Sequence, residues 1–296
     1  MKTNFIISII TPFYKGNRYL NQLFKVIQSN YKKMKEKYPQ AEVELIIVND
    51  SPNLDVEIPK EEFDFQYKVI NHQVNSGIHQ ARVTGLKNCS GEYILFLDQD
   101  DVLAENAIVS QMQIIENYNA GIVICNAYLE DSNGACQVLY KTKTEFQRLN
   151  DLKFYLKSHN VIKSPGQCII KKEYIPKEWQ MYIMKKNGSD DLFLWILLLE
   201  MGYKFVVNRE ILYIHKYTGE NLSEFENKMS ISSLEIVDFL KKIDYVSQKD
   251  ISELKRAREF GVEMRKSNVI GKALLILKNV DLIWYLTYNK LKKIFV

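Results

Sequence analysis

The sequence predicts an α/β fold: a mostly parallel central sheet with helices on both faces, plus a helical C-terminal extension. Three observations predict it. Strand-like and helix-like segments alternate over the first 130 residues, the pattern of βαβ units. Three apolar runs end abruptly in polar residues, at 11–14, 49–51 and 98–101, as buried strands do where they emerge at a ligand-binding edge. After residue 221 the strand signal gives way to a helical one.

In chain order, Phe5 to Thr11 is rich in β-branched residues and is stopped by Pro12. From Arg18 to about Lys37, apolar Tyr19, Leu20, Leu23, Phe24, Ile27 and Tyr31 recur at helical spacing. Val43 to Val48 is a second buried strand ending in Asn49-Asp50-Ser51-Pro52, and Tyr67 to Ile70 a short third. Asn75-Ser76-Gly77 opens a helix over 78–88. Tyr93 to Leu97 is a fourth strand, 105–118 a helix, and Ile122 to Tyr128 a fifth strand. Beyond 140, helices near 145–156 and 190–201 flank short strands near 167–170, 204–207 and 211–215.

The hydrophobic fraction of 46% and charged fraction of 26% are those of an ordinary globular chain. Cys89, Cys125, Cys136 and Cys168 show neither a CxxC pair nor zinc spacing. With no basic stretch followed by a long apolar core over Met1 to Ile10, they read as reduced thiols of a cytoplasmic protein. No apolar run reaches the roughly 18 residues needed to span a bilayer. Residues 241–296 carry 13 Lys and Arg against 6 Asp and Glu, whereas the first 240 carry 27 against 30. The tail therefore suits an anionic partner, and the main body does not.

Chemistry concentrates in Leu95-Phe96-Leu97-Asp98-Gln99-Asp100-Asp101. Close carboxylates repel unless a cation neutralises them, and hard oxygen ligands suit Mg2+ or Mn2+. The competing reading is an exposed acidic turn, with Asp101 capping the next helix. In a parallel sheet this strand end opens beside Thr11-Pro12-Phe13-Tyr14 and Asn49-Asp50-Ser51, so the three converge. The first strand is followed by neither a glycine-rich dinucleotide fingerprint nor a Walker lysine motif, which argues against a dehydrogenase or P-loop enzyme.

In order, the segments Ser8 to Tyr14, Ile47 to Ser51, Asn75-Ser76-Gly77 with Ala81-Arg82, and Ser90 to Asp101 closely resemble glycosyltransferase family 2. The likeness covers roughly residues 5–220. It implies the GT-A (Rossmann-like) fold and an inverting, metal-dependent transfer of sugar from a nucleotide-diphospho-sugar, with UDP the expected nucleotide. It places Thr11 and Pro12 in a loop lining the base with Tyr14 beside it, Asp50 as acceptor for the base, and Arg82 near the nucleotide. Asp98 becomes the first acid of DxD, near ribose and metal, and Asp100 the direct ligand of Mn2+ or Mg2+. Asp50 could instead cap a turn, and Arg82 could pair with an acid.

Gly188-Ser189-Asp190-Asp191 precedes an apolar helix, where the dipole alone favours acids. The resemblance makes the pair catalytic, with Asp191 the general base; Asp190 stands where the family often has Glu. Tyr213-Ile214-His215-Lys216 resembles the family's closing tyrosine–x–histidine segment, making His215 a metal or diphosphate ligand and Lys216 a charge near the phosphates. Gln167 and Trp195 are placed toward sugar or acceptor by position alone. Two other functions stay open: a nucleotidyltransferase of similar sheet, and a catalytically silent sugar-nucleotide-binding scaffold.

The expected division is a catalytic domain over 1–222 and a helical extension over 223–296. In 270–296, Leu274, Leu277, Ile283, Trp284 and Tyr288 interleave with Lys272, Lys278, Lys290, Lys292 and Lys293. That pattern suits either a helix lying on an anionic membrane or one packed on protein. The expected partners are a nucleotide-sugar donor and a glycan or lipid-linked acceptor, in surface-polysaccharide synthesis at the inner face of the cell membrane, with no nucleic acid.

Overall fold

The computed structural model describes residues 4–219 and 226–294, with side chains described except at 226–230 and 291–294. The chain forms two compact units. One comprises Met1–Leu139, Lys163–Pro176 and Lys204–Glu220; the other comprises Tyr140–Ile162, Lys177–Tyr203 and Asn221–Val296. The expected boundary at 222/223 lies outside the described residues, and the helices after it share a unit with 140–162 and 177–203.

In the first unit the order is β1 (Ile6–Phe13), α1 (Asn17–Lys37), β2 (Glu42–Asn49), β3 (Gln66–Asn71), α2 (Ile78–Lys87), β4 (Tyr93–Phe96) and β5 (Val102–Leu103). Then come α3 (Ala107–Tyr118), β6 (Ile122–Glu130), β7 (Cys136–Val138), β8 (Cys168–Lys171) and β9 (Val206–His215). Among the described residues these strands form one sheet in the order β3-β2-β1-β4-β8-β6-β9-β5, with β7 on β6. The run β3-β2-β1-β4 is parallel, as expected. The other half is mixed: β8 runs antiparallel to both β4 and β6, while β6 and β9 are parallel.

Alternation along β1 places helices on both faces. Ile7, Ile9 and Phe13 join a core with Leu20, Leu23, Phe24 and Ile27 of α1 and Ile108, Met112 and Ile115 of α3. Ile10 faces the other way, onto α2, where a Cβ on Gly85 would come within 2.3 Å of Ile10 Cγ2. Glycine lets helix and strand approach that closely.

Several expected boundaries move for physical reasons. Pro12 does not stop β1, which continues to Phe13 paired with β2. The Ile10 carbonyl accepts from Leu97 N on the β4 side, so the missing Pro12 N–H falls on that side two residues on. There β4 has already ended, and the strand tolerates proline. The strands expected at 204–207 and 211–215 are one, β9, with a register shift opposite Cys125–Ala127. Asn208 closes the irregularity by accepting from Glu210 N at 3.0 Å and donating to Ser110 Oγ at 2.8 Å. The 105–118 helix starts at Ala107, after the two-residue β5.

The second unit is helical among its described residues: α4 (Lys143–Arg148), α5 (Leu152–Lys157), α6 (Lys177–Met181), α7 (Asp190–Glu200), α8 (Glu226–Leu240), α9 (Gln248–Lys266), α10 (Val269–Lys278) and α11 (Val280–Ile294). The single helix expected at 145–156 divides at Asn150-Asp151, residues that favour turns over helix interiors. Thr142 and Glu145 form a reciprocal capping box at the start of α4. Helix α7 is apolar all round, with Phe193, Leu194, Trp195, Ile196, Leu197 and Leu198 buried. Arg258 of α9 donates to the carbonyls of Tyr155 and Ser158, satisfying the end of α5.

Candidate functional site

The parallel strands β1, β2 and β4 end at Phe13, Asn49 and Phe96, and side chains lace the loops that follow. Lys15 N donates to Ser51 Oγ at 2.9 Å. The Gln99 amide makes two bonds to Tyr14, accepting from its N–H at 3.0 Å and donating to its carbonyl at 3.1 Å. This clamp leaves no room at Gly16, where a Cβ would stand 2.1 Å from Gln99 Oε1. In the sequence Gln99 is only the middle residue of the DxD pattern; its contact with Tyr14, 85 positions away, arises in the fold.

Thr11 and Pro12 lie within β1 and are buried, so they are strand residues and not part of a loop. The Thr11 hydroxyl has no hydrogen-bond partner among the described residues. Tyr14, half exposed, is the member of this group at the surface, with the Lys15 ammonium 5.2 Å from its ring centre.

Asp50 is buried and organises the neighbouring loop. Its Oδ1 accepts from Ser76 N at 2.7 Å and meets His72 Nδ1 at 2.8 Å; its Oδ2 accepts from Gly77 N at 2.8 Å. His72 continues to Thr84 Oγ1 through Nε2 at 2.9 Å. A carboxylate has about four acceptor positions, so one on Oδ2 is left by these contacts. Gly77 has φ 87, a conformation that suits glycine. His72, for which the sequence offered no partner, is thus part of this network.

Arg82 is almost fully buried on α2 and donates to Asp98 Oδ1 at 2.6 Å. Burial, then the charges of Asp101 and Asp98, push the Asp100 carboxyl up to about 7, with His215 pulling the other way. Asp101 does not cap a helix, because α3 begins six residues later behind Asn106. It is buried and accepts from the Tyr213 hydroxyl, from Lys216 N at 3.0 Å, and from His215 Nδ1 at 3.1 Å. Antiparallel pairing of Val102 with Ile214 and Leu103 with Tyr213 brings these residues together, and a two-residue strand was too short to read from sequence. Burial works against a charged His215, but the hydrogen bond and charge of Asp101, with Asp98 and Asp100, outweigh it and raise its pKa. Lys216 pairs with Glu130 at 3.0 Å.

Among the described residues no three His, Cys, Asp or Glu side chains form a ready-made cation cage. The donor chemistry nevertheless fits a hard divalent ion. Asp100 is held under like charge that a cation would relieve. Asp101 engages His215 Nδ1 and leaves Nε2, the carboxylate–histidine arrangement that orients ligating imidazoles.

In the second unit Asp190 and Asp191 open α7. Asp190 is buried, and its carbonyl accepts from Trp179 Nε1 at 2.8 Å. Asp191 accepts from Asn160 Nδ2 at 2.7 Å on Oδ2 and from Leu192 N at 2.7 Å on Oδ1. Trp195 and Gln167, expected toward sugar or acceptor by position, are both fully buried. Trp195 lies in the α7 core, and Gln167 donates to the Cys125 carbonyl at 3.0 Å and accepts from Lys163 N at 3.0 Å.

The profile of "Glycosyl transferase family 2" matches residues 8–178. Glycosyltransferase GlyA of Streptococcus pneumoniae serotype 4 is 33% identical over 125 residues, 41% of this chain and 17% of GlyA. Poly(ribitol-phosphate) beta-N-acetylglucosaminyltransferase TarS of Staphylococcus aureus strain Mu50 is 24% identical over 243 residues, 78% of this chain and 40% of TarS. The chain therefore spans less than half the length of either relative. In three dimensions it is similar to TarS 1–349 in complex with UDP-GlcNAc, with a TM-score of 0.59 and 17% identity over 94% of this chain and 80% of that one. It is also similar to the mannosyltransferase PcManGT of Pyrobaculum calidifontis in complex with GDP-Man and Mn2+, with a TM-score of 0.52 and 12% identity over 97% and 84%.

Proposed function

The chain belongs to glycosyl transferase family 2, and on that premise we propose that it moves a sugar from a nucleotide-diphospho-sugar to a hydroxyl of a glycan or lipid-linked acceptor. The observation that carries this reading is the gathering of Tyr14, Asp50, Arg82, Asp98 and Asp100 around the carboxyl ends of three parallel strands. That edge is where open α/β sheets take their ligands. The remaining acceptor position on Asp50 suits the imide N–H of uracil, and TarS, a relative, has been seen with UDP-GlcNAc. UDP is therefore the proposed nucleotide. TarS is named for transfer onto poly(ribitol-phosphate), so the proposed setting is surface-polysaccharide synthesis.

Asp98, Asp100 and His215 would hold Mn2+ or Mg2+, which neutralises the departing diphosphate. Arg82 fixes Asp98, and Asp101 fixes the His215 ring, so neither side chain needs to reorganise when a ligand arrives. Asp191 takes the proton of the attacking hydroxyl, in keeping with its match to the family's acid pair; its contacts with Asn160 and Leu192 N hold the carboxylate. One in-line displacement inverts the anomeric centre.

A thermal-shift screen of nucleotide sugars tests the donor reading. A UDP-sugar should raise the melting temperature in proportion to the logarithm of its concentration above Kd. Replacing Asp191 with Asn should leave that shift in place while cutting transfer by about 10²- to 10⁴-fold. A shift with GDP- or CMP-sugars alone would overturn the choice of UDP. Binding without turnover across donor and acceptor panels would point instead to a silent sugar-nucleotide-binding protein.

A further inference from the structure

Helix α10 has no buried residue in the described structure. Val269, Ile270, Leu274, Ile276 and Leu277 are all exposed, the first at 84% and the last at 70%. At about 100° per residue these side chains and Ala273 share one broad arc, with Lys272 at one margin and Lys278 at the other. Along α11, Val280, Trp284 and Tyr288 recur every fourth residue and are exposed too, Trp284 at 71%. Isolated exposed apolar side chains need no explanation, but this many concentrated on two successive helices do.

We propose that the exposed face of α10 and α11 docks on an anionic lipid surface, with the apolar arc in the acyl boundary and the flanking lysines among the headgroups. The charges decide for lipid. Over 269–290 the basic residues are Lys272, Lys278 and Lys290, and the single acid is Asp281. Asp281 is already paired with Arg256 of α9 at 2.5 Å, so this segment presents uncompensated positive charge. A second copy meeting this face across a two-fold axis would set lysine against lysine. An interfacial helix wants what is present: a wide apolar arc bordered by lysines, with tryptophan and tyrosine at the boundary. No helix among the described residues is long and apolar enough to cross a membrane. Lys292 and Lys293 fall outside the described side chains and carry none of this argument.

The test is co-sedimentation of the full chain with phosphatidylcholine vesicles containing about one quarter phosphatidylglycerol, against pure phosphatidylcholine, at low and high salt. Trp179 and Trp195 are fully buried, so a blue shift of emission on adding vesicles reports Trp284. The expected result is binding to the anionic vesicles, weakened by salt and accompanied by that shift. The double variant Ile270→Glu/Leu277→Glu should abolish binding, and Lys272→Glu/Lys278→Glu should weaken it by roughly fivefold or more per lysine. All four positions are exposed, so both variants should melt as the parent does. Both should also keep any donor-induced thermal shift, so failure here is distinct from failure of the donor reading. No binding to anionic vesicles overturns the proposal, as does binding that both variants retain. A concentration-dependent dimer abolished by Ile270→Glu/Leu277→Glu, without lipid binding, assigns the face to a second copy instead.

Discussion

Asp50 shows how one carboxylate carries both structure and recognition. It satisfies the backbone N–H groups of Ser76 and Gly77 and holds His72. Replacing it with Ala leaves those donors unpaired, and urea denaturation should show a loss of about 2–4 kcal/mol; Asn, which keeps one acceptor oxygen, should lose less. Gln99 works differently, because its clamp on Tyr14 shapes a loop without bearing on the core. Gln99→Ala should raise the KM for donor by roughly tenfold with little change in melting temperature. The motif residues were legible in sequence because their order and strand-end placement carry information. The residues that hold them were not. Gln99, His72 and Tyr213 act through contacts between residues far apart in the chain, and only the folded sheet creates those neighbourhoods.

At the scale of elements, Glu44 ties β2 to the turn before β4. Its Oε1 accepts from Ser8 Oγ and Ser90 N, both at 2.6 Å, from Ser90 Oγ at 2.9 Å and from Gly91 N at 3.2 Å. Burial acts to raise its pKa, but these hydrogen bonds outweigh it and hold the carboxyl below its usual 4.5. Its stabilisation is thus complete above pH 4.5 and is lost as pH falls below it. Glu44→Gln should cost about 1–2 kcal/mol at pH 7 and less in acid, read from melts across pH 3–7. Glu200, in the last turn of α7, behaves oppositely. Burial, then the charge of Asp250, lifts it from 4.5 to about 7, and the negative end of the helix dipole adds to the penalty. Its contribution is full below pH 4.5 and is lost as pH rises through about 7. Glu200→Gln should therefore raise the melting temperature at pH 8 and leave it nearly unchanged at pH 4.5. The parallel elements β1, β2 and β4 were readable because each is rich in buried aliphatic residues and is followed by polar ones. β5 and the bulge in β9 escaped, the first because it has two residues, the second because Arg209 and Glu210 interrupt the apolar pattern where the strand is irregular.

On the scale of the whole molecule, the α/β class and the polar ends of the parallel strands followed from patterning alone. The mixed half of the sheet did not, because nothing local distinguishes an antiparallel β8 from a parallel one. Nor did the division into units, since segments 140–162 and 177–203 join the C-terminal helices only in space. The acids beyond β4 are proposed to serve a nucleotide-sugar donor. The most direct measurement is release of UDP from a panel of UDP-sugars with Mn2+, comparing the chain with its Asp100→Ala variant at matched circular dichroism. Service of the donor by these acids requires turnover of at least one UDP-sugar, reduced by about 100-fold or more in the variant. Turnover at the same rate in both, or no UDP released from any donor, would contradict it.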